Sequence, residues 1–452
     1  MNDRGVDFIV FKIHPGITHK FFFYLITTIL LLSGPYSGNS WLAFGQDTEG
    51  TTYYVRSTVG NDDNNGTSPD SAWKTVTRGV RDLGPGDTLI VGPGLYRESV
   101  GIKTAGLPGK PVKILGDASG KSTGDLPGPV MMAGSVPIDE TLFEPEGSPG
   151  VYQAVISGMV IFAGVEMDGP QYRNRNVREP VTEVPYVEKV RREKRSLWFE
   201  KDISTVYIHT SDDKPPTEHE IELISYHSAF HMEGKPHVWI GGFTFRHFID
   251  GCVIFRDGSD YGRVFDVTAY GCRQGVRIRN SQQVQVLRNI LFRNENSGVY
   301  YYLESKDGLV QGNTAYENDV GIRFSSESSA GLVLDNLIIG NHDAGLSFES
   351  LGFAVATLNS FQDNTSQLRL YKSSFISDKN CYETDTESGH IFAKENPTII
   401  HQNLKEYSTK FGQGLNSREG NCAIEIDRVN VGELHEEATS YSMRAQEFLR
   451  TN

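Results

Sequence analysis

The sequence predicts an all-β protein wound as a right-handed parallel β-helix, and three columns of recurring residues predict it. Gly251, Gly275, Gly298, Gly321 and Gly345 each open a short apolar run, at spacings of 24, 23, 23 and 24. Asn289, Asn313, Asn336 and Asn359 recur at 24, 23 and 23, and Asn294, Asn318, Asn341 and Asn364 keep the same intervals. A leucine-rich repeat has a similar period, but the consensus leucines are missing and the runs are β-branched or aromatic. One turn of a three-sided β-helix takes about this many residues, and each turn stacks its strands ~4.8 Å above those below. Glycine supplies turn conformations that other residues resist, and stacked asparagines satisfy turn backbone groups from coil to coil.

The elements follow in chain order. Residues 1–45 read as an export signal: a basic stretch ending in His19 and Lys20, an apolar run from Phe21 to Leu32, and a break at Ser33, Gly34 and Pro35. That run is shorter than the ~20 residues of a spanning helix, which disfavours the alternative of a retained anchor, and Ala43 with Gly45 suits a cleavage site. No later apolar run is as long, so the mature chain is expected to be secreted, with no membrane attachment, and monomeric. Val76, Val80 and Leu83 have helical spacing, with Ser71 placed to cap, so a short amphipathic helix is expected to cover the open end of the stack. Strands at Thr88–Val91, Pro111–Leu115 and Val151–Val155 read as early coils. From about 160 to 220 an insertion interrupts the winding. It carries the basic run Lys189 to Arg195, and Leu197–Phe199 with Val206–Ile208 reads as a hairpin. The β-helix is expected to cover 51–375, with 376–452 as the other cap.

Composition agrees and sets limits. Forty-seven glycines, 24 Phe and 20 Tyr suit many short strands and tight turns. A formal net charge of −14 argues against nucleic acid as a partner. The four cysteines, Cys252, Cys272, Cys381 and Cys422, match no zinc spacing and allow three pairings. Cys252 and Cys272 are expected to be small buried wall residues.

The opening of the expected coil region is distinctive: Tyr53-Tyr-Val, then Gly60-Asn-Asp-Asp-Asn-Asn-Gly-Thr-Ser68, Ala72-Trp-Lys-Thr75, and Gly86-Asp-Thr-Leu-Ile-Val-Gly-Pro-Gly-Leu-Tyr-Arg-Glu98. It resembles the first module of secreted bacterial β-helix proteins of the pectate-lyase-like superfamily. The resemblance implies a fold that hosts polysaccharide lyases and glycosidases, and it does not by itself select a chemistry. The Asp-Pro-His-Asp signature of alginate epimerases is absent. The acidic loop Asp62 to Asn65 has oxygen ligands enough for calcium, but its glycines and its place before the capping helix favour a structural turn. No cofactor is required by the sequence, and calcium stays open.

Strand alternation nominates the site. After each repeat glycine the first and third residues are expected inside, so that Val276, Val299, Ile322 and Leu346 stack in the core. The second and fourth then point out, giving one column of Val253, Arg277, Tyr300, Arg323 and Ser347 and another of Phe255, Arg279, Tyr302, Ser325 and Glu349. Arginine forks bind carboxylates and tyrosine rings offer flat faces to sugars. The expected partner is therefore an acidic polysaccharide, with Arg277, Tyr300, Tyr302, Arg323 and Glu349 binding it.

Elimination from a uronic acid polymer needs the carboxylate neutralised and a base for the C5 proton. The resemblance makes Arg and Lys natural choices, and Arg279 with Lys306 are the catalytic candidates. Two further readings stay open. A glycosidase would use Glu304 and Glu327 as its carboxylate pair, and a non-catalytic surface protein would only bind glycan. His227, His231 and His237 fit no metal spacing and take no role.

Overall fold

The computed structural model describes residues 50–167, 171–174, 186–326, 328, 331–349, 353–370, 374–383, 390–394, 399–401, 404, 405, 408, 415–420 and 422. The proposed export signal lies outside them. The described chain is a right-handed parallel β-helix of three walls, each of ten strands, with an eight-stranded sheet inserted into it. The first wall runs from Thr52–Val55 to Ser374–Asp378, the second from Gly94–Tyr96 to Arg418–Glu419, and the third from Val100–Gly101 to His390–Lys394, closed by the antiparallel Ile399–His401.

The repeat columns explain the stacking. Val276, Val299, Ile322 and Leu346 stack inside, fully buried. The rings of Tyr301, Phe324 and Phe348 pile above one another at 5.0 and 4.9 Å. Burying each such side chain stabilises by roughly 1.5–3 kcal/mol. The asparagines form two internal ladders. Asn313 Oδ1 accepts from the backbone N–H and the amide of Asn289, and the Asn313 amide passes the contact on to Asn336. Asn294, Asn318, Asn341 and Asn364 repeat the pattern. The glycine column serves close approach and not a left-handed turn: a Cβ on Gly275, Gly298 or Gly321 would meet the carbonyl oxygen of the next coil's glycine at 2.6, 2.8 and 2.6 Å.

Several expectations are corrected. Gly251 pairs with Gln274, and Cys252 occupies the place that glycine takes in later coils. Val253 and Phe255 therefore stack on Val276 and Ile278 and point inward, fully buried, while Ile254 and Arg256 face out. Cys252 is joined to Cys272 and Cys381 to Cys422, so Cys252 and Cys272 are not free wall residues. The capping helix is shorter than expected, Val76–Gly79, and Thr75 caps it where Ser71 was expected. Ser68 and Ser71 instead close a turn over Pro69–Ser71. Asp62 accepts from the backbone of Lys74 and Thr75 and from the Thr75 hydroxyl, so its carboxylate anchors the entrance to that helix.

The winding continues past Phe375. Cys381–Glu383 and His390–Lys394 add parallel strands to the second and third walls, because Asn380 extends the first asparagine ladder by one rung. The insertion is wider than 160–220. Its sheet begins at Ser135–Pro137, ends at Ile221–Ile224, and claims Val151–Val155, which pairs antiparallel with Thr205–His209 and is no coil. The Ser196–Glu200 and Thr205–His209 strands pair antiparallel, around a core of its own that includes Leu197, Phe199, Val206 and Ile208. The basic run begins within the helix Tyr186–Arg192 and leaves it after Arg192, and Arg191 is neutralised by Glu146 and Glu188.

Candidate glycan-binding face

The outward face of the third wall collects the predicted residues. Parallel pairing puts Arg277 beside Tyr300, Tyr300 beside Arg323 and Arg323 beside Ser347. The second column runs Arg256, Arg279, Tyr302 on successive strands, with Ser325 beside Glu349 further along. Tyr300 and Tyr302 lie two residues apart, so both point out of the pleat, and their rings stack at 4.9 Å with 9° between planes. Arg277 covers the Tyr302 ring at 5.0 Å and Arg323 covers Tyr300 at 5.4 Å. The result is a half-buried aromatic plate with a guanidinium on either side.

Each cation is also engaged by an acid. Arg277 bonds both oxygens of Asp250 and the Tyr302 hydroxyl. Arg323 pairs with Glu349 at 2.8 Å and Arg256 with Glu233 at 2.6 Å. Burial works against the charge of Arg277, but Asp250 and Tyr302 outweigh it and hold its pKa above the ordinary value. These contacts leave part of each guanidinium unused. The Nε atoms of Arg256, Arg277, Arg279 and Arg323, and Nε2 of His231, are buried with no hydrogen-bond partner. His231 belongs to the same outward column, beside Ile254. Burial, and then the charge of Arg256, push its pKa below the usual histidine value, so it is neutral at pH 7.

The candidate elimination pair is divided. Arg279 is on the face, 3.9 Å from Asp257. Lys306 is exposed on the turn beyond the strand, where its backbone pairs with Gln282 and not with Arg279. Glu304 is exposed on the same turn with positive φ, and Glu327 lies outside the described residues. Sequence reasoning missed Arg256 because of the slip at Cys252. It also missed the residues that lead into the third-wall strands, Asp250, Asp319 and Asp343, because they precede the alternating segment.

The profile of the family described as "Periplasmic copper-binding protein (NosD)" matches residues 193–419, and that of "Protein of unknown function (DUF1565)" matches 58–299. A lacto-N-biosidase of Bifidobacterium longum subsp. longum is 42% identical over 79 residues, 16% of this chain and 5% of that protein, so the chain spans a small fraction of that relative. Among solved structures, a complex of XylC with xylose is 14% identical with a TM-score of 0.47, covering 73% of this chain and 68% of that one. Pectate lyase Pel9A is 11% identical with a TM-score of 0.43, covering 76% and 75%. At these values the likeness to solved structures carries no argument about activity.

Proposed function

From the premise that the chain belongs to the families described as Periplasmic copper-binding protein (NosD) and Protein of unknown function (DUF1565), we propose that it is a carbohydrate-active β-helix protein holding a glycan lengthwise across its coils. The observation that carries this reading is the stacked pair Tyr300 and Tyr302, flanked by the guanidinium groups of Arg277 and Arg323, on one outward face. The rings offer a flat face to a sugar, and the exposed parts of the flanking guanidinium groups can donate to its oxygens. Coils ~4.8 Å apart offer such groups at close to the repeat of a sugar chain. Because arginines alternate with acids, the face suits a glycan that both donates and accepts, with uronate carboxylates placed at Arg279.

Copper is not part of the proposal. Among the described residues no group of three or more His, Cys, Asp or Glu converges to hold a metal ion, and all four cysteines are in disulfides. The soft thiolate donors that select copper are therefore consumed. No described helix is long and apolar enough to cross a membrane. Export of the chain, read from residues 1–45, is part of the same proposal, and N-terminal sequencing of secreted protein tests it.

Elimination on this face would use Arg279 to neutralise a uronate and Lys306 to take the C5 proton. Incubation with alginate, pectate and glycosaminoglycans, following ultraviolet absorbance of unsaturated ends together with new reducing ends, separates the chemistries. Absorbance with reducing ends identifies elimination, and reducing ends alone identify hydrolysis. Binding with neither identifies a non-catalytic glycan-binding protein. Failure of every glycan to bind would sink the proposal.

A further inference from the structure

We infer that Asp319 is the proton donor of a hydrolytic site at the edge of this face, working beside Asp343 of the next coil. The inference rests on the glycan-binding reading and deepens it by naming the reaction. Each third-wall strand is led by one residue, in order Asp250, Arg273, Asn296, Asp319 and Asp343. Backbone bonds tie these leads from coil to coil, as from Arg273 N to Asp250 O at 3.1 Å and from Asp343 N to Asp319 O at 2.8 Å. The first outward residues of the following coils form a column that reads, in the same order, Arg277, Tyr300, Arg323, Ser347 and Arg369.

Where the lead is Asp250, Arg277 grips it, and where it is Asp343, Arg369 does. After Asp319 the same place holds Ser347, whose hydroxyl bonds Glu349 at 3.1 Å. Arg323, on the coil of Asp319 itself, is turned to Glu349. The Asp319 carboxyl thus forms no hydrogen bond or ion pair among the described residues, although it is half-buried and lies among Asp343, Arg323, His342 and Arg369. Burial, and then the charge of Asp343, raise its pKa above the ordinary aspartate value, against the opposing influence of Arg323, His342 and Arg369. A carboxyl that holds its proton more tightly than usual, with no cation of its own gripping it, is suited to act as a general acid.

The geometry also separates this edge from Lys306. Asp319 precedes its strand and Lys306 follows one, so six residues at ~3.3 Å each place them about 20 Å apart, too far to serve one bond. In the proposed step Asp319 gives its proton to the glycosidic oxygen as the bond from C1 to that oxygen breaks, and the leaving sugar departs as an alcohol. The oxygen of a water bonds to C1, and its proton passes to the Asp343 carboxylate. Return of that proton to Asp319 restores the site. Two carboxyl groups flanking the scissile bond are the usual requirement of glycoside hydrolysis.

The test uses the full chain with the alginate, pectate and glycosaminoglycan set. Asp319→Asn should fold, because asparagine already holds the equivalent place at Asn296. It should retain binding and lose at least about a hundredfold in reducing-end release, the scale of general-acid contributions. Ser347→Arg restores the missing cation and lowers the Asp319 pKa. Activity requires the protonated acid and falls as pH rises through that pKa, so this variant should move the alkaline limb of the rate profile to lower pH. A merely structural role would not shift that limb. Unsaturated products, binding without hydrolysis, or near-wild-type rates in Asp319→Asn would overturn the inference and leave glycan binding standing. Absence of binding by the wild type would instead remove the underlying reading.

Discussion

Arginines 256, 277 and 323 commit part of their donors to acids of their own chain, whereas the nearest carboxylate to Arg279, Asp257, is at 3.9 Å and beyond hydrogen-bond reach. Arg279 is thus the strip cation most open to a ligand carboxylate. Arg279→Ala should weaken binding of an oligogalacturonate by about 1.5–3 kcal/mol, the range for hydrogen bonds to charged groups. The affinity should fall as salt rises, since the attraction acts between half-exposed charges. Lys306→Ala, on the turn beyond the strand, should bind as the wild type does. Calorimetry of both variants decides, and undiminished binding in Arg279→Ala would remove that residue from the site. At this scale alternation was sufficient from Gly275 to Glu349, where pleat and repeat keep step. It was not sufficient at Arg256, which one slipped residue at Cys252 turns outward. Nor could it find Asp319, because the residue that stands where Asp250 and Asp343 have an arginine is Ser347, 28 positions later in sequence and one coil away.

The asparagine ladders are the element most plainly written in the sequence, because a side chain that bonds its counterpart one coil away must recur at the coil period. Asn313 shows the consequence. Its side chain accepts from Asn289, donates to the carbonyl of Val286 and donates to Asn336. Asn313→Ala should therefore cost about 3 kcal/mol, since several buried partners lose a bond together and each unsatisfied group carries roughly 1–3 kcal/mol. Asn280→Ala, on an exposed turn where φ is 42°, should cost only the left-handed strain of about 1 kcal/mol, and urea unfolding of the two variants makes the comparison. The disulfides were not legible in the same way. Cys252 and Cys272 belong to neighbouring parts of one coil and its corner, and only the glycine-like position of Cys252 brings the sulfurs together. The end of the winding was also hidden, because the coil carrying Cys381–Glu383 keeps Asn380 but has no repeat glycine to mark it.

At the scale of the molecule, the three-walled helix followed from its period, while the inserted sheet did not, because its eight strands have no repeat and its core residues alternate as those of a coil would. What joins the two is a buried polar junction. Glu222 of the inserted sheet, 3% exposed, accepts from Arg97 at 2.7 Å, from Arg246 at 3.2 Å and from the Ser135 hydroxyl, and Ser135 also lies 3.3 Å from Nδ1 of His247. Burial opposes ionisation of Glu222, but Arg97, Ser135 and Arg246 outweigh it and hold the carboxyl below its ordinary range. For His247 burial dominates, helped by Arg246, and its pKa is pushed down to about 4. A histidine with a depressed folded pKa binds fewer protons than it does in the unfolded chain between the two values. Stability from this source is therefore complete above pH ~6.5, the unfolded value, and is lost progressively as pH falls toward 4. His247→Asn should flatten that window, and asparagine tolerates the left-handed backbone at this position, where φ is 56°. Glu222→Gln should instead destabilise by about 3–5 kcal/mol at neutral pH, because two arginines are left facing a neutral amide. Urea midpoints of the wild type and both variants from pH 7 to pH 4 provide the test. An unchanged slope in His247→Asn would show that the junction does not set the acid sensitivity of the fold, and the origin would then have to be sought among the carboxylates of the strip.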